Sequence, residues 1–552
     1  MKIDFKHEIK SEDKITPQQV LNLILKNRQI KDIKEFVNPP LPSSISLLDF
    51  DLKYKKQFDK VIKLLNEIKE QNQMIVVYTD YDADGITGGA ILWETLHLLG
   101  FKVMPYVPDR KKEGYGFSIT GIDNVIKQYN PVLIISVDHG ITKTKEIKYA
   151  KDKRIKVIVT DHHLKAEKIP KADAIFHISA LSGSGVAYFF SKEVFAHFKS
   201  QTLHSSLLTH NFSFDYLALA SIGTIADLVP LVGPSRSVVK YGLSVFPKVN
   251  RFGIKHILKQ AGIENKEITP YEVGFMIAPR INAIGRLSHA IDALRLLCTV
   301  DEKRAYDLAQ KIGSTNVRRQ ELVETSLKEA EKELSKNKKI NKIIILKSDH
   351  WNEGIIGLIA SKLAEKYYRP TIIMTKNDGF YKASARSIPS FHITNFLRSL
   401  KKYLVDVGGH AQAAGFTIEA KKLDGFKKEI EKQENKLIKD KDLERIILVD
   451  IKIPVPKINL EIVKSLESLE PFGMGNPRPT FYSETEAANA QLFGKTNTHL
   501  KVYIENFELI GFNQAEKLKE LSRGQKIEIV YTLEIDRWGG REKLRGKILI
   551  IR

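Results

Sequence analysis

Cysteine and long hydrophobic runs are largely missing from this sequence of 552 residues. The single cysteine, Cys298, excludes an internal disulfide and any zinc site built from several cysteines. No run approaches the roughly 18 apolar residues that a membrane-spanning helix needs. The opening segment, MKIDFKHEIK, lacks the apolar core of a signal peptide. We therefore expect a cytoplasmic protein of a reducing compartment, with no membrane partner.

Acidic residues are also in deficit. Asp and Glu number 66 against 87 Lys and Arg, which gives a formal net charge of +21. A surplus of this size attracts polyanions, and nucleic acid is the commonest polyanion in a cell. A genome of biased base composition would enrich lysine as well, so the charge favours a nucleic-acid partner without establishing one.

Short apolar runs, each followed by a turn and a helical pattern, begin near residue 74. The clearest are MIVVY (74–78), VLIISV (132–137) and KVIVT (156–160). Such runs are typical of buried strands in a parallel sheet. Their alternation with helices predicts an α/β fold with a doubly wound parallel sheet.

Composition divides the chain into five predicted segments. Residues 1–70 are predicted to be a helical N-terminal lead-in, and 71–301 to be the α/β domain. Residues 302–339 contain RRQELVETSLKEAEKELSKNKK, without Pro or Gly, which predicts a connecting helix. Residues 340–440 open with the strand-like KIIILK and form a second, smaller α/β domain. Residues 441–552 are predicted to be β-rich, from alternating stretches such as KIEIVYTLEIDRW.

The strongest chemical signal is TDYDADGITGGA (79–90), between an apparent buried strand and a helix. Asp80, Asp82 and Asp84 occupy alternate positions, which share one face of an extended segment. Three such carboxylates repel one another unless a cation lies among them, and hard oxygen ligands favour Mg²⁺ or Mn²⁺.

A calcium-binding EF-hand loop also begins D-x-D-x-D-G, so it is the rival interpretation of this segment. That loop needs a bidentate Glu at its twelfth position. Counted from Asp80, the twelfth residue is Ile91, and the preceding segment is typical of a strand rather than a helix. Both observations disfavour the calcium interpretation.

Two further strands also end in acids or imidazoles. VLIISV is followed by Asp138-His139-Gly140, and KVIVT by the triplet 161–163, Asp-His-His. The carboxyl ends of parallel strands are where sites form in open α/β sheets. One such Asp is often only the N-cap of the next helix. Three neighbouring strands with this pattern favour a shared site.

Asp227 lies in an otherwise apolar stretch, LALASIGTIADLVPL (217–231). A lone buried Asp is unfavourable unless it is paired or binds a metal ion. We therefore expect Asp227 to join the same cation site.

In this order, DYDADG, the Asp138 strand end, Asp161-His162-His163 and Asp227 resemble the DHH phosphoesterases. Within them the chain is similar to the RecJ family of single-strand-specific exonucleases, from about residue 35 to near the end. The segments that carry this narrower resemblance are PDRKKEGYG, SGSGVAYFF, APRINAIGRL, WNEGIIGLIASKL, SARSI, GGHAQAAGF and EPFGMGNPRPTF.

The resemblance implies a metal-dependent exodeoxyribonuclease with two Mn²⁺ or Mg²⁺ ions. The implied ligands are Asp82, Asp84, Asp138, His162 and Asp227, with Asp80 beside them. His163 is expected to orient or polarise rather than to ligate, and Asp161 belongs to the same catalytic group. The family also implies 5′-to-3′ degradation of single-stranded DNA in repair and recombination. A single-strand-binding protein and a helicase are candidate partners.

Phosphate contacts are expected at segments that the resemblance brings in. GGHAQAAGF belongs to the DHHA1 domain of the family, where glycines allow close approach of a phosphate. The candidate residues are Arg110, Arg280, Ser384, Arg386, Gly408, Gly409 and His410. Each arginine offers a fork that matches two phosphate oxygens, although a structural salt bridge is the alternative for each.

The β-rich tail resembles the OB-fold of the family, which binds single strands on a basic groove with aromatic platforms. Most of its aromatics are expected to be core, and none is singled out for binding. Tyr115 is a candidate for stacking on a base, with core packing as the alternative.

The sequence departs from the family pattern at three places. His139 stands where the family more often has Cys or Asn, FHIS (176–179) replaces an NPN-like segment, and Arg236 lacks the usual preceding Asn. No carboxylate of the metal set is lost. Two alternatives remain: a short-oligonucleotide or cyclic-dinucleotide phosphodiesterase of the same superfamily, and a non-catalytic single-strand-binding scaffold.

Overall fold

The computed structural model describes residues 2–114, 116–336, 340–486, 489–505, 507–521, 524–537 and 540–552. Tyr115, the candidate for stacking on a base, lies outside these residues. Contacts divide the chain into two compact units, the larger formed by Asp4–Gly285, His289–Ile312 and Leu448–Arg552, the smaller chiefly by Gly313–Ile447. No described helix is both long and apolar enough to cross a membrane.

In the first half of the chain, strands alternate with helices from residue 75 onward, and the elements after residue 177 are all helices. In order they are β1 (Lys2–Glu8), α1 (Pro17–Asn27), α2 (Ile33–Val37), α3 (Lys53–Glu70), β2 (Ile75–Thr79), α4 (Ala83–Leu98), β3 (Val103–Tyr106), α5 (Ile119–Tyr129), β4 (Leu133–Val137), α6 (Thr144–Asp152), β5 (Lys156–Asp161), β6 (Ala174–His177), α7 (Gly183–Phe198), α8 (Ser205–Ser213), α9 (Asp215–Ala226), α10 (Gly233–Ser244), α11 (Phe252–Ala261), α12 (Pro270–Glu272), α13 (Ala278–Leu287) and α14 (Ile291–Cys298).

The second half begins with a helix of 34 residues and then becomes richer in strands. Its elements are α15 (Glu302–Ser335), β7 (Ile344–Ser348), α16 (Ile356–Tyr367), β8 (Thr371–Asn377), β9 (Phe380–Arg386), α17 (Ile393–Ser399), β10 (Leu404–His410), β11 (Ala413–Glu419), α18 (Leu423–Leu437), β12 (Ile446–Lys452), α19 (Leu460–Glu467), β13 (Thr480–Glu486), β14 (Asn489–Phe493), β15 (His499–Ile504), β16 (Phe507–Gly511), β17 (Lys526–Asp536) and β18 (Lys543–Ile551).

A parallel sheet with the strand order β3-β2-β4-β5-β6 forms the centre of the larger unit. Alternate residues of β2 enter two different cores: Ile75 and Val77 pack with α4, α7 and α9, whereas Val76 and Tyr78 pack with α5 and α6. Both faces are therefore covered by helices, which explains the uninterrupted apolar strands. The predicted doubly wound α/β fold is confirmed. The strand order reverses between β2 and β4, which creates a crevice at their carboxyl ends.

The smaller unit holds a second sheet, in the order β10-β11-β9-β8-β7. Only β7 and β8 run parallel, and the other pairs are antiparallel. The apolar side chains of α15 and α16 pack on one face of this sheet, and those of α17 and α18 on the other. The second α/β domain of the predicted fold class is confirmed in this form.

The C-terminal residues form an eight-stranded sheet in the order β1-β12-β13-β17-β18-β16-β15-β14. Most neighbours pair antiparallel, with β12–β13 and β16–β18 as parallel exceptions. Residues of β13, β15, β16 and β17 share one hydrophobic core with α19. The β-rich character expected for this region is confirmed.

The sequence predicts a helical N-terminal lead-in, but the structure also contains a strand there. It begins with β1, which occupies the edge of the C-terminal sheet beside β12. The helix α1 buries Val20 and Ile24 in the same core as β17. The alternation in KIDFKHE is typical of a strand. Its partner strand lies more than 430 residues away, so no local pattern revealed the pairing.

Replacement of Ile24 tests whether α1 stabilises the C-terminal sheet. Ile24 is fully buried in that core, so Ile24→Ala should lower the local free energy of opening by about 2–5 kcal/mol. Hydrogen exchange of the β17 and β18 amides, followed by mass spectrometry, measures the change. Ile33→Ala, at a position 41% exposed, is the matched control and should change little. Faster exchange confined to the parallel sheet would contradict the assignment.

Candidate metal centre

The carboxyl ends of three neighbouring parallel strands bring acidic side chains to the crevice between β2 and β4. Asp80 follows β2, Asp138 follows β4, and Asp161 ends β5. All three are buried. Asp138 has a left-handed backbone, with φ of 68°, and its amide donates to the Thr160 carbonyl on β5. This kink turns the chain at the end of β4.

Helix N-termini hold the second and third carboxylates of DYDADG. Asp82 is the N-cap of α4, because its Oδ1 accepts from the Asp84 and Gly85 amides at 3.0 and 3.1 Å. Asp84 in turn accepts from the Gly183 and Ser184 amides at 2.6 and 2.9 Å, at the start of α7. The capping role considered for these acids is real for Asp82, and it coexists with convergence on one site.

His162 lies among three of the acids. Its Nε2 is 3.1 Å from Asp138 Oδ1, 3.3 Å from Asp227 Oδ2 and 3.9 Å from Asp84 Oδ2. Asp227 reaches this point from the C-terminal end of α9. Three overlapping groups have ligand atoms within 4.8 Å of one another, and each could hold a metal ion. They are Asp138–His162–His163, Asp84–His162–Asp227 and Asp80–Asp82–Asp138.

Asp161 differs from the other acids because its oxygens are already engaged. Its Oδ1 accepts from the His162 and His163 amides and from His163 Nδ1 at 2.8 Å, while Oδ2 accepts from the Ile141 amide at 2.9 Å. Burial opposes ionisation, but these hydrogen bonds and the charge of His163 hold the pKa of Asp161 below its usual range. Asp161 therefore orients the histidines.

His163 is the partner of that carboxylate. Burial disfavours its charge, yet the hydrogen bond and negative charge of Asp161 raise the pKa of His163 to about 9. The backbone oxygen of His163 also accepts from His177 Nε2 at 2.6 Å. His177 belongs to FHIS, the segment that departs from the family pattern, and it fixes the position of the triplet.

The remaining acids are short of positive partners. Among the described residues, both oxygens of Asp80, Oδ1 of Asp138 and Nε2 of His162 are buried without a hydrogen bond. Burial, followed by repulsion from neighbouring carboxylates, raises the pKa of Asp80 and Asp138 well above the usual range. The same causes raise the pKa of Asp227 to about 8. Unsatisfied buried oxygens around an imidazole nitrogen form a ligand set that suits Mn²⁺ or Mg²⁺.

Glycines and hydroxyl side chains that the sequence interpretation did not single out enclose this cluster. A Cβ at Gly183 would lie 2.4 Å from Asp138 Oδ1, and one at Gly223 would lie 2.4 Å from Asp84 Oδ1. Ser182 Oγ contacts Ser184 Oγ and Thr224 Oγ1 at 2.9 Å behind Asp84. The small residues at the start of SGSGVAYFF indicate part of this lining, since close approach of the backbone to the acids requires small side chains.

Asn282 is another residue of the site that sequence interpretation missed. Its Oδ1 accepts from the Ala83 amide at 2.8 Å, at the first turn of α4. It lies in α13, just after a π-helical turn over Val273–Ile277. An irregular turn of this kind often accompanies a functional site. APRINAIGRL was recognised as a motif, but not for this contact.

His139 does not join the metal ligand groups found among the described residues. Its Nε2 contacts the Tyr78 carbonyl at 3.1 Å, and its ring packs edge-on against Tyr78 and Phe117. Burial lowers the pKa of His139 to about 3, so the ring is neutral. It packs behind the metal cluster, between β2 and β4.

The two phosphate candidates of the larger unit have different surroundings. The guanidinium of Arg110 lies 5.2 Å from the centre of the Tyr81 ring, close enough to Asp80 for its positive charge to act on that carboxylate. Arg280 instead donates to the Met276 carbonyl at 2.6 Å and to a second carbonyl at 3.4 Å. Arg110 is therefore brought to the cluster, whereas Arg280 bonds to neighbouring helix backbone.

The candidates of the smaller unit align across three strands. Gly408 of β10 pairs with Gly415 of β11, which pairs with Ser384 of β9. Two residues further along each strand, and so on the same face of the sheet, His410 and Arg386 flank Ala413 in the same way. Arg386 Nη1 donates to Ser384 Oγ at 3.0 Å. Gly409 requires glycine, since its φ is 141° and a Cβ would lie 2.2 Å from the Ala413 oxygen.

The aromatics of the C-terminal sheet are mostly core, as expected. Tyr482 and Phe507 are buried, Phe493 is half-buried, and Phe512 is 48% exposed. Lys547 lies 5.5 Å from the centre of the Phe512 ring.

Comparison with known families finds three domains. The sequence matches the DHH family N-terminal domain over residues 74–224, the DHHA1 domain over 340–436 and the RecJ OB domain over 449–549. These three matches cover the parallel sheet, the smaller unit and the C-terminal sheet respectively.

Comparison with individual proteins gives long matches. The chain is 33% identical to the single-stranded-DNA-specific exonuclease RecJ of Bacillus subtilis, over 90% of this chain and 63% of that protein. It thus spans slightly less than two thirds of that relative's length. It is 32% identical to the RecJ of Thermus thermophilus, over 92% of this chain and 71% of that protein.

A solved structure gives the same result at the level of fold. The crystal structure of RecJ in complex with Mn²⁺ from Thermus thermophilus superposes with a TM-score of 0.82 and 28% identity. The superposition covers 100% of this chain and 80% of that chain. With the three domain matches and the long match to the Thermus protein, it follows that the chain belongs to the RecJ family.

Proposed function

We propose that this chain is a single-strand-specific DNA exonuclease that hydrolyses phosphodiester bonds with two divalent cations. The observation that carries the proposal is the buried cluster of acids around His162, in which both oxygens of Asp80, Oδ1 of Asp138 and Nε2 of His162 have no hydrogen bond from the described residues. A protein that only binds nucleic acid does not need a cluster of mutually repelling carboxylates, because basic and aromatic groups suffice for binding.

The ligand set would be Asp82, Asp84, Asp138, His162 and Asp227, with Asp80 beside them. When bound, two Mn²⁺ or Mg²⁺ ions supply a nucleophilic water and stabilise the charge that develops on the phosphate and the leaving oxygen. No covalent nucleophile is required. The protein's own part is to hold these ligands and to place the phosphate among them.

His163 would act with Asp161 beside the ligands. Its raised pKa, about 9, means that the imidazole is protonated at neutral pH in the metal-free chain. Asp161 engages Nδ1 at 2.8 Å and fixes the orientation of the ring beside the ligands, where the positive charge of the imidazole would polarise a phosphate. Asp161 acts through His163 and is a positioning residue.

Phosphate binding would be divided among separate elements. Arg110, whose guanidinium lies over the Tyr81 ring, is close enough to Asp80 to act on its charge and would bind a phosphate at the cluster. On the smaller unit, Ser384, Arg386, Gly408, Gly409 and His410 would bind backbone phosphates, since small residues and a guanidinium fork are aligned there. Arg280 is retained as a candidate, although it would have to exchange a backbone carbonyl for a phosphate.

Single-stranded DNA is the substrate that best agrees with the rest of the chain. The net charge of +21 attracts a polyanion, and OB domains bind unpaired strands on aromatic and basic surfaces. The relatives named above are single-stranded-DNA-specific exonucleases. Degradation from the 5′ end, a role in repair and recombination, and a helicase or single-strand-binding partner follow from the family resemblance.

Asp138→Asn should abolish hydrolysis while single-strand binding persists. The change removes one negative charge from the centre of the cluster and keeps the shape of the side chain. Loss of a partner outside the ligand set alone costs about 10–100-fold, so loss of a ligand should lower turnover more than about 100-fold. A labelled single strand with Mn²⁺ measures turnover, and fluorescence anisotropy measures binding. Asp123→Asn, on an exposed helix of the same domain, is the control. Turnover retained by Asp138→Asn would contradict the ligand assignment.

The metal-free protein should lose stability as the pH rises from 7 to 9. In this range the unfolded chain has already released the protons of its Asp and His side chains, but the fold retains them on Asp227 and His163. The folded state then binds more protons, so the free energy of unfolding falls with rising pH. Mn²⁺ competes with these protons, and its stabilising effect should grow over the same range.

Thermal unfolding in EDTA and in Mn²⁺, at pH 7 and pH 9, measures both effects. Asp227→Asn should flatten the pH dependence in EDTA and reduce the shift caused by Mn²⁺. A melting temperature that rises with pH in EDTA, or that does not change when Mn²⁺ is added, would show that the acids do not form a cation site.

The length and polarity of the products distinguish the exonuclease from a short-oligonucleotide phosphodiesterase. A strand of several tens of nucleotides, labelled at the 5′ end in one reaction and at the 3′ end in another, is digested with Mn²⁺. We expect the 5′ label to be released first as a mononucleotide, with complete degradation. Cleavage of dinucleotides and cyclic dinucleotides alone would favour the second function.

A further inference from the structure

The motif EPFGMGNPRPTF has no part in the function proposed so far, yet its first half is held in an unusual way. Residues 469–478 connect α19 to β13, and we call them the strap. The strap contains few repeating backbone hydrogen bonds: Gly473 and Asn476 pair with each other at 2.8 and 3.1 Å. Several of its carbonyl oxygens instead accept hydrogen bonds from buried side chains.

Arg236, on α10, is the main residue that holds the strap. It is fully buried, and its guanidinium donates to the carbonyls of Leu469, Glu470 and Pro471 at 3.0, 2.8 and 3.3 Å. Its Nε donates to the Phe36 carbonyl at 2.5 Å, and it stacks on the Phe36 ring at 3.9 Å. No carboxylate pairs with it in the described part of the chain. A buried guanidinium devoted to carbonyls fixes backbone geometry.

Two further side chains fix the strap. Asn476 is fully buried and donates to the Leu469 and Pro471 carbonyls at 2.7 and 2.9 Å, which closes the strap on itself. Arg28 Nη2 donates to the Pro477 carbonyl at 2.5 Å. The strap is therefore a rigid loop that the DHH domain and the N-terminal segment hold together.

The strap contacts the chain just after Asp227. The Leu231 amide donates to the Met474 carbonyl at 2.7 Å. A Cβ at Gly473 would lie 2.7 Å from Leu231 Cδ1, and one at Gly475 would lie 2.9 Å from Pro230 Cβ. Residues 228–231 and the strap together line an apolar cavity of about 570 Å³. Glycine is thus required where the strap meets this segment.

Asp227 depends on this support more than the other acids do. Asp80, Asp138 and Asp161 are fixed by strands of the parallel sheet, whereas Asp227 follows the last residue of α9. Its side chain is 30% exposed, against 2% or less for Asp84 and Asp138. The next residue, Leu228, is left-handed with φ of 58°, so the chain turns sharply there.

We propose that the strap is a positioning element for Asp227 and that Arg236 is the positioning residue that holds it. The affinity of the metal centre for Mn²⁺ then depends on a segment between the DHH domain and the C-terminal sheet. The inference rests on the proposed function in one respect, since it takes Asp227 as a ligand. Groups that orient a ligand typically change metal affinity about 10–100-fold.

Gly475→Ala in the full-length chain is the decisive variant. Gly475 has φ of 72° and contacts Pro230, whereas Gly524 has φ of 78° with no described atom within 4 Å of a Cβ. Gly524→Ala therefore imposes similar backbone strain without touching the Asp227 segment. We expect Gly475→Ala to weaken Mn²⁺ binding about 10-fold and Gly524→Ala to leave it unchanged. Paramagnetic resonance of free Mn²⁺ during titration measures the affinity, independently of hydrolysis.

Arg236→Lys supplies a second test, because one ammonium cannot replace a planar fork that contacts four carbonyls. Its Mn²⁺ affinity should fall similarly, and its turnover should return to the wild-type value at saturating Mn²⁺, which a general loss of folding would prevent. If Arg236→Lys does not fold, the comparison of the glycine variants decides.

The outcomes separate this inference from the proposed function. Unchanged Mn²⁺ affinity in Gly475→Ala, or equal losses in both glycine variants, would overturn the role of the strap and leave the metal centre intact. Failure of the wild-type chain to bind Mn²⁺ would overturn both. Turnover that stays low in Gly475→Ala at saturating Mn²⁺ would show that the strap acts on something other than ligand position.

Discussion

Repulsion among carboxylates that are buried at one edge of a parallel sheet is the constraint on which the rest of this structure depends. Asp84, Asp138 and Asp227 lie around the His162 imidazole, and Asp80 and Asp82 lie beside Asp138. Among the described residues, both oxygens of Asp80 and Oδ1 of Asp138 have no donor. Burial and mutual repulsion raise the pKa of most of them. A fold can retain such a cluster only if something else contributes positive charge, and divalent cations are the simplest source.

The protein stabilises this arrangement mainly with backbone amides. The start of α4 donates to Asp82 and the start of α7 donates to Asp84, so two helix N-termini face the acids with favourable dipoles. Asp161 differs from the other acids because its oxygens accept hydrogen bonds from four donors. With four donors it keeps a low pKa and orients His163, so five carboxylates remain for cations while one serves the histidines.

The chain is threaded so that distant segments support the same site. The first strand joins the C-terminal sheet, α13 caps the first turn of α4 through Asn282, and the strap reaches the segment after Asp227. Arg236 on α10 connects the N-terminal segment and the strap by donating to their carbonyl oxygens. The metal domain and the C-terminal domain of the larger unit are therefore in direct contact just after Asp227, although they match separate domain families.

The sequence alone determined the class of fold, three of the five strands of the parallel sheet (β2, β4 and β5) and the set of acids, because apolar periodicity and strand-end motifs are local and repeat along the chain. It also indicated the family, since many short motifs occur in one order. Tertiary structure decided which Asp caps a helix, which one orients a histidine and which remain unpartnered, because those outcomes depend on donors from other elements. It also decided that β1 belongs to the last sheet, that Arg280 contacts helix backbone and that the strap contacts the segment after Asp227. Each of these depends on contacts between residues far apart in the chain, and no local pattern encodes such contacts.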